Sequence, residues 1–255
     1  MININDISVD RRLSPTSFTC KAGELIHVIG PNGSGKSTLL SAIAGVLGQS
    51  TKVTGSVLIN EVDVLSLALD EQACQRGFLS QQSKPAFNID VFQYLALSLP
   101  NGLDLTDSNI IEAVDTVLNL VQLRDKLHQS IQALSGGEWQ RVRLAGVCLQ
   151  VWRTINPDSK LLLLDEPAAS LDIAQDHSLY RLIDTVVKQG ITVIVANHDL
   201  NRTLNHADKV ALLSNGVLQI YAETEQVMTP EWLSSAFNTE VRKVQLDDRQ
   251  LLLFD

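Results

Sequence analysis

The spacing of hydrophobic residues changes twice along the 255-residue chain. In the first stretch Ile2, Ile4 and Ile7 suggest an edge strand, Ser17 to Cys20 a second and Gly55 to Asn60 a third, together an antiparallel layer. Among them a short apolar strand, Glu24 to Ile29, runs straight into a glycine-rich loop. Leu39, Leu40, Ile43, Ala44 and Val46 then recur at helical spacing, which predicts strand, loop and helix. Between Ser83 and Pro157 the texture becomes leucine-rich and helical, at Val91 to Leu97 and at Ile110, Ile111, Val114, Val117, Leu118 and Val121. Pro100, Asn101, Gly102, Asn156 and Pro157 break it.

The remainder alternates again. Leu161 to Asp165, a helix through Ala174 to Lys188, and Ile191 to Asn197 predict parallel strands buried on both faces. Val210 to Leu213 and Val217 to Tyr221 flank Ser214-Asn215-Gly216, a hairpin turn. Thr229 before Pro230 fits a helix start, and Val241 to Phe254 reads as a second hairpin turning at Asp247-Asp248. The expected organisation is a single domain, 1–255, with a core in 1–82 and 158–255 and a helical lobe in 83–157.

Composition narrows the choice of function. Apolar residues make up 45% of the chain, yet no uninterrupted run approaches the roughly 18 residues needed to cross a bilayer, so any membrane role would be borrowed from a partner. The N-terminus lacks the basic-then-apolar layout of a signal peptide, which predicts a chain that stays inside the cell. Cys20, Cys74 and Cys148 are widely spaced and odd in number, which favours incidental thiols over a disulfide or metal site. A formal charge of −9, with Lys and Arg scattered, disfavours a nucleic-acid binder. It does not exclude a small anionic ligand, which local backbone donors and one or two cations can hold.

Residues 30–37 match GxxxxGK[ST], placed between strand and helix as phosphate binding requires. Glycines let successive N–H groups turn inward, and the helix start adds its positive end. The candidate phosphate site is therefore Gly30, Pro31, Asn32, Gly33, Ser34, Gly35, Lys36, Ser37 and Thr38, with Lys36 on the β- and γ-phosphates and Ser37 on Mg²⁺. The four-leucine strand before Asp165 and Glu166 ends in adjacent carboxylates. Strand neighbours point to opposite sides, which would send Asp165 toward the magnesium shell and Glu166 toward the attacking water. Ser135 can cap the helix that follows, and Gly136 and Gly137 permit close backbone approach.

The order LSGGEWQR, LLLLDEP, Ser170-Leu171-Asp172 and then His198 after ITVIVAN resembles the nucleotide-binding subunits of ATP-binding-cassette transporters, over essentially the whole chain. The resemblance implies an α/β fold of the P-loop NTPase (RecA-like) kind, a parallel-sheet core with an antiparallel β layer and an inserted helical lobe. It implies that Ser135, Gly136 and Gly137 contact the γ-phosphate of ATP held by the other subunit of a head-to-tail homodimer. By the same resemblance Gln81 touches magnesium and water, Asp172 is an acid at the dimer seam and His198 contacts the γ-phosphate. The strand ending at Ser80 favours Gln81 over Gln82.

One departure concerns the base. The family usually stacks adenine on an aromatic residue ahead of the glycine loop, whereas this chain has Asp10-Arg11-Arg12-Leu13 there and no aromatic before Phe18. A guanidinium can stack in its place, and a solvated arginine pair is the other reading.

The short head segment, Trp139 in the signature, the spacer VWRTINPDSK, and FLSQQ and NHDLNRTLNHA resemble the ATP-binding subunits of bacterial cobalamin importers. Importers of iron-siderophores and haem share much of this. The resemblance implies integral membrane permease partners, indirectly a substrate-binding protein, and a peripheral place on the cytoplasmic face of the inner membrane.

Overall fold

A computed structural model of the chain describes residues 1–48, 50–80, 85–169, 171–247 and 249–254. Strands β1 (Ile2–Val9), β2 (Leu13–Cys20) and β3 (Leu25–Ile29) lead to helix α1 (Lys36–Ile43). Then come β4 (Val53–Ile59), β5 (Val62–Asp63), α2 (Leu69–Gln75), β6 (Arg76–Leu79), α3 (Val91–Leu97), α4 (Ser108–Leu120) and α5 (Gly136–Val151). The chain continues through β7 (Leu161–Asp165), α6 (Ile173–Lys188), β8 (Thr192–Ala196), α7 (Leu200–His206), β9 (Lys209–Ser214) and β10 (Val217–Glu223). It ends with α8 (Thr224–Val227), α9 (Pro230–Phe237), β11 (Val241–Leu246) and β12 (Arg249–Phe254). Two compact units result: Met1–Leu67 with Ile194–Asp255, and Ala68–Val193, the division falling inside β8.

In the first unit β2, β1, β4 and β5 form an antiparallel sheet in that order. Ile2, Ile4, Ile7 and Val9 of β1 are buried, and the register slips between Ile4 and Ile7, where Asp6 turns to φ 49. A second layer pairs β3 with β9 in parallel and β9 with β10 in a hairpin. Asn215 and Gly216 make that turn at φ 50 and 73, both positive, as a tight hairpin demands. Residues 25–29 are all buried, which accounts for their unbroken apolar run. The C-terminal hairpin of β11 and β12 is pinned to α7: Leu252 N donates to Asn201 Oδ1 at 2.7 Å and Asn201 Nδ2 to Leu252 O at 3.1 Å. Val241 and Leu252 thereby join Ile29, Leu200, Leu212, Met228 and Leu233 in one apolar cluster.

The second unit centres on α5. Strands β6 and β7 pair in parallel, Arg76 opposite Leu161 through Leu79 opposite Leu164. Gly77 lets α5 close on β6, since a Cβ there would come within 2.8 Å of Val151 and 2.9 Å of Val147. Gly146 does the same for α3, where a Cβ would meet Ser98 Oγ at 2.6 Å. Trp139 stands edge-on to Tyr94, ring centroids 4.9 Å apart, and is buried. Helices α3 and α4 pack on α5 and produce the helical texture of this region.

Candidate functional site

The glycine loop belongs to the first unit. Gly30 leaves β3 at φ +148 with its Cα against Leu213 O, a place where any Cβ would collide. Gly33 at φ +76 has open space around it, so its backbone conformation rather than packing calls for glycine. Gly35, left-handed at φ 104, precedes α1, and no side chain caps that helix. Three hydrogen bonds brace the loop: Ser34 N to Pro31 O at 3.1 Å, Gly216 N to Ser34 O at 3.0 Å and Ser14 N to Gly216 O at 2.7 Å.

Lys36 is only 5% exposed, and its Nζ donates to Gly30 O at 2.8 Å and Pro31 O at 3.1 Å. Ser34 Oγ is buried and has no hydrogen-bond partner among the described residues. Asn32, Gly33 and Ser37 face solvent. A helix start without a side-chain cap, a cation fixed beside it and an orphaned hydroxyl suit the oxygens of a phosphate group, each favourable contact with the helix end adding about 0.3–1 kcal/mol.

His198 lies in the same unit, exposed in the loop between β8 and α7. Asn197 N donates to Val28 O at 3.1 Å, Asp199 N to Asn197 Oδ1 at 3.1 Å and Arg202 N to Asp199 Oδ1 at 2.8 Å. Behind this loop His27 is fully buried, its Nδ1 2.9 Å from Thr203 Oγ1; burial drives its pKa down to about 3, so the ring stays neutral. The turn before β2 also reaches the glycine loop, because a Cβ on Gly35 would lie 3.4 Å from Arg12 O. The Arg12 guanidinium itself is held by Asp10 Oδ2 at 3.5 Å and Thr51 Oγ1 at 3.3 Å, while Arg11 is exposed.

The second unit carries the remaining candidates. At the start of α5, Ser135 Oγ accepts from Glu138 N at 3.2 Å and Ser135 N donates to Glu138 Oε2 at 2.8 Å, a reciprocal capping box. The bond from Ser135 N first, then the Ser135 hydroxyl and Lys126 Nζ, 3.2 Å from Glu138 Oε1, hold that carboxyl well below its ordinary 4.5, at about 2. Ser135 and Gly136 are exposed, and a Cβ on Gly136 would meet nothing within 4 Å. Asp172 is exposed and caps α6, accepting from Gln175 N at 2.8 Å.

Asp165 ends β7 and is 5% exposed. Glu166 has left the strand conformation, at φ 49. The turn, rather than strand alternation, therefore sets the relative direction of the two carboxylates. Pro167 O accepts from Gln140 Nε2 at 2.9 Å, Gln140 Oε1 accepts from Arg143 Nη1 at 3.1 Å, and Arg143 Nη2 donates to Ser80 O. This line of bonds was not foreseen from sequence. Gln81, Gln82, Ser170 and Asp248 lie outside the described residues.

Among the described residues no group of three or more His, Cys, Asp or Glu could hold a metal by itself. A magnesium ion needs no such cage, since it takes one or two protein oxygens and completes its shell with phosphate and water. Ser37 and Asp165 supply oxygens of the required kind. No described helix is long and apolar enough to cross a membrane. The second unit also contains a cavity of about 740 Å³ lined by Phe78, Leu79, Phe87, Tyr94 and Arg143, with Asp70 and Glu71 at its acidic side.

Three kinds of comparison agree with this picture. The profile of the ABC transporter family matches residues 13–169. The vitamin B12 import ATP-binding protein BtuD of Vibrio campbellii is 61% identical over 255 residues, covering 100% of both chains. That of Vibrio cholerae serotype O1 is 53% identical over 255 residues, again covering 100% of both. Among solved structures, the ATP-binding subunit of an ABC transporter matches with TM-score 0.77 at 20% identity, over 89% of this chain and 91% of that one. A nucleotide-free ATP-binding cassette from an ABC transporter matches with TM-score 0.71 at 21% identity, over 93% and 94%. At these identities the structural matches speak for the fold alone.

Proposed function

The chain belongs to the ABC transporter family, and on that premise we propose that it is the ATP-binding and ATP-hydrolysing subunit of a vitamin B12 importer. The observation that carries this reading is 61% identity across the entire chain to a vitamin B12 import ATP-binding protein. The glycine loop supports it locally: an uncapped helix start, a buried lysine and a buried hydroxyl in one short loop.

In the first unit, the N–H groups of the glycine loop and of the first turn of α1 hold the phosphates of ATP, Lys36 neutralises charge on the β- and γ-phosphates, and His198 contacts the γ-phosphate. Ser37, Gln81 and Asp165 would hold Mg²⁺. When bound, the ion neutralises charge on the phosphate oxygens as the bond to the γ-phosphoryl group breaks. In the second unit Glu166 orients the attacking water and accepts its proton at a carboxylate oxygen. Ser135, Gly136 and Gly137 serve the ATP of a second copy of the chain, and Asp172 faces that copy, so the working unit is a homodimer. The division into a nucleotide core, 1–82 and 158–255, and a helical lobe, 83–157, belongs to the same proposal.

The importer's remaining parts are integral membrane permease subunits, with a substrate-binding protein beyond them, and the chain sits peripherally on the cytoplasmic face of the inner membrane. The cavity containing Phe78, Phe87 and Tyr94, whose lining mixes aromatic and charged side chains, is a suitable seat for a permease segment.

A deletion strain tests the proposal. It should lose vitamin B12 uptake, recover it with the wild-type chain and fail to recover it with Glu166→Gln, which still binds ATP but hydrolyses it about 10²–10⁴-fold more slowly. Normal B12 uptake in the deletion strain, or loss confined to iron chelates or haem, would overturn the substrate. Normal hydrolysis by Glu166→Gln would overturn the role given to that carboxylate.

A further inference from the structure

Glu166 combines two backbone disadvantages. It occupies the left-handed region at φ 49, where a residue with a Cβ is crowded, and it precedes Pro167, which pushes the residue before it toward extended conformations. Such a conformation persists only where surrounding bonds over-determine it. Two bonds hold this turn from either side of the Glu166–Pro167 peptide. Ala169 N donates to Glu166 O at 3.2 Å, which closes the turn locally. Gln140 Nε2 donates to Pro167 O at 2.9 Å, which ties the turn to α5.

The Gln140 amide is itself oriented. Its oxygen accepts from Arg143 Nη1 at 3.1 Å, so its NH₂ group is left to face Pro167 O. Arg143 is three residues further along α5, hence on the same face of the helix, and its other terminal nitrogen donates to Ser80 O at the end of β6. Arg143 is only 8% exposed, so little water competes for these bonds. One side-chain pair on α5 thus reaches two strand ends that carry candidate chemistry: the turn holding Glu166 and the residue before position 81.

We propose that Gln140, oriented by Arg143, is a positioning residue for Glu166: its amide holds the strained Glu166–Pro167 turn in place and so aims the carboxylate. This rests on the reading of Glu166 as the group that handles the attacking water. In this assignment Gln140 acts only through the turn.

The test is steady-state ATP hydrolysis by the chain assembled with its permease, with thermal melting recorded for each variant. Gln140→Leu keeps the approximate volume and removes both bonds. Gln140→Glu keeps an acceptor for Arg143 but sets an oxygen against Pro167 O. Both should lower kcat about tenfold or more while KM for ATP stays within about twofold. In a Glu166→Gln background, Gln140→Leu should leave the residual turnover unchanged, because its effect runs through the missing carboxylate.

Wild-type kcat in either variant would overturn the proposal, as would an equal fall in the Glu166→Gln background, which would mark a general structural role. If Gln140→Leu fails to fold, Gln140→Glu decides alone by the same kcat criterion. Normal hydrolysis by Glu166→Gln itself is a separate failure, which removes the role of Glu166 and with it the premise.

Discussion

Helices α1 and α5 both begin beside glycines, and both face the problem of four N-terminal N–H groups without intrahelical partners. They solve it in opposite ways. At α1 the preceding residue is a left-handed glycine, no side chain caps the helix, and no acid stands in its first turn. At α5 Ser135 and Glu138 cap each other reciprocally and Lys126 neutralises the acid. Among the described residues one helix start has no side-chain cap, and the other is capped by its own side chains. At α5 the Ser135 hydroxyl is engaged twice, accepting from Glu138 N and donating to the Glu138 carboxylate.

The largest effect should come from breaking the first arrangement. Gly35→Ala forces a Cβ into a residue at φ +104, 3.4 Å from Arg12 O and 3.5 Å from Leu13 Cδ1. The strain costs about 1–3 kcal/mol at the point where the N–H groups fan out, and the loop must turn to relieve it. ATP affinity measured by calorimetry should fall on the order of 10- to 100-fold, with the far-ultraviolet circular dichroism spectrum retained. Unchanged affinity would mean that the glycine loop does not depend on its backbone shape.

Gly136→Ala is the matching probe of the second arrangement and should behave differently. A Cβ there meets nothing within 4 Å, and the residue is helical, so stability should hold or rise by up to about 0.5–1 kcal/mol. ATP binding by the single chain should be unaffected. Turnover of the complex assembled with permease should drop about tenfold, because in the proposed homodimer the added methyl intrudes on the other chain's nucleotide. A melting temperature that falls along with turnover would instead show that this glycine serves α5 itself.

Where such requirements are local, the sequence displays them. The glycine loop shows itself because Gly30, Gly33 and Gly35 all take positive φ, a demand of the loop's own backbone, and Asn215-Gly216 announces its hairpin for the same reason. Helix α1 was harder to bound. Val46 continues the helical spacing, yet the helix stops at Ile43, Gly45 turns to φ 68, and Val46 is 47% exposed. Helix α2 carries no such signal, being short and leaving Leu69 72% exposed, with no apolar stripe.

The acid pair was legible as chemistry but not as geometry. Alternation along a strand was the natural expectation, although Pro167 after Glu166 already signals an unusual backbone. Its support by Gln140 joins residues 27 apart in sequence, and no spacing rule reports such a bond.

The smallest predicted effect isolates charge from hydrogen bonding at the capped start. Glu138→Gln retains a side-chain oxygen for Ser135 N and surrenders only the charge that Lys126 meets. Near neutral pH the loss should be a few tenths of a kcal/mol, since ion pairs open to solvent contribute about 0.2–1 kcal/mol and the side chains of this one are 26% and 22% exposed. The sign of the pH dependence follows from the depressed carboxyl. In the unfolded chain it protonates near 4.5 and in the folded chain near 2, so its stabilisation is complete above 4.5 and fades as pH falls toward 2. Urea unfolding at pH 7, 4.5 and 3 should therefore show the gap between wild type and Glu138→Gln closing with acid. A gap independent of pH would assign the cap's contribution to its hydrogen bonds alone, and α5 would then differ from α1 by bonding rather than by charge.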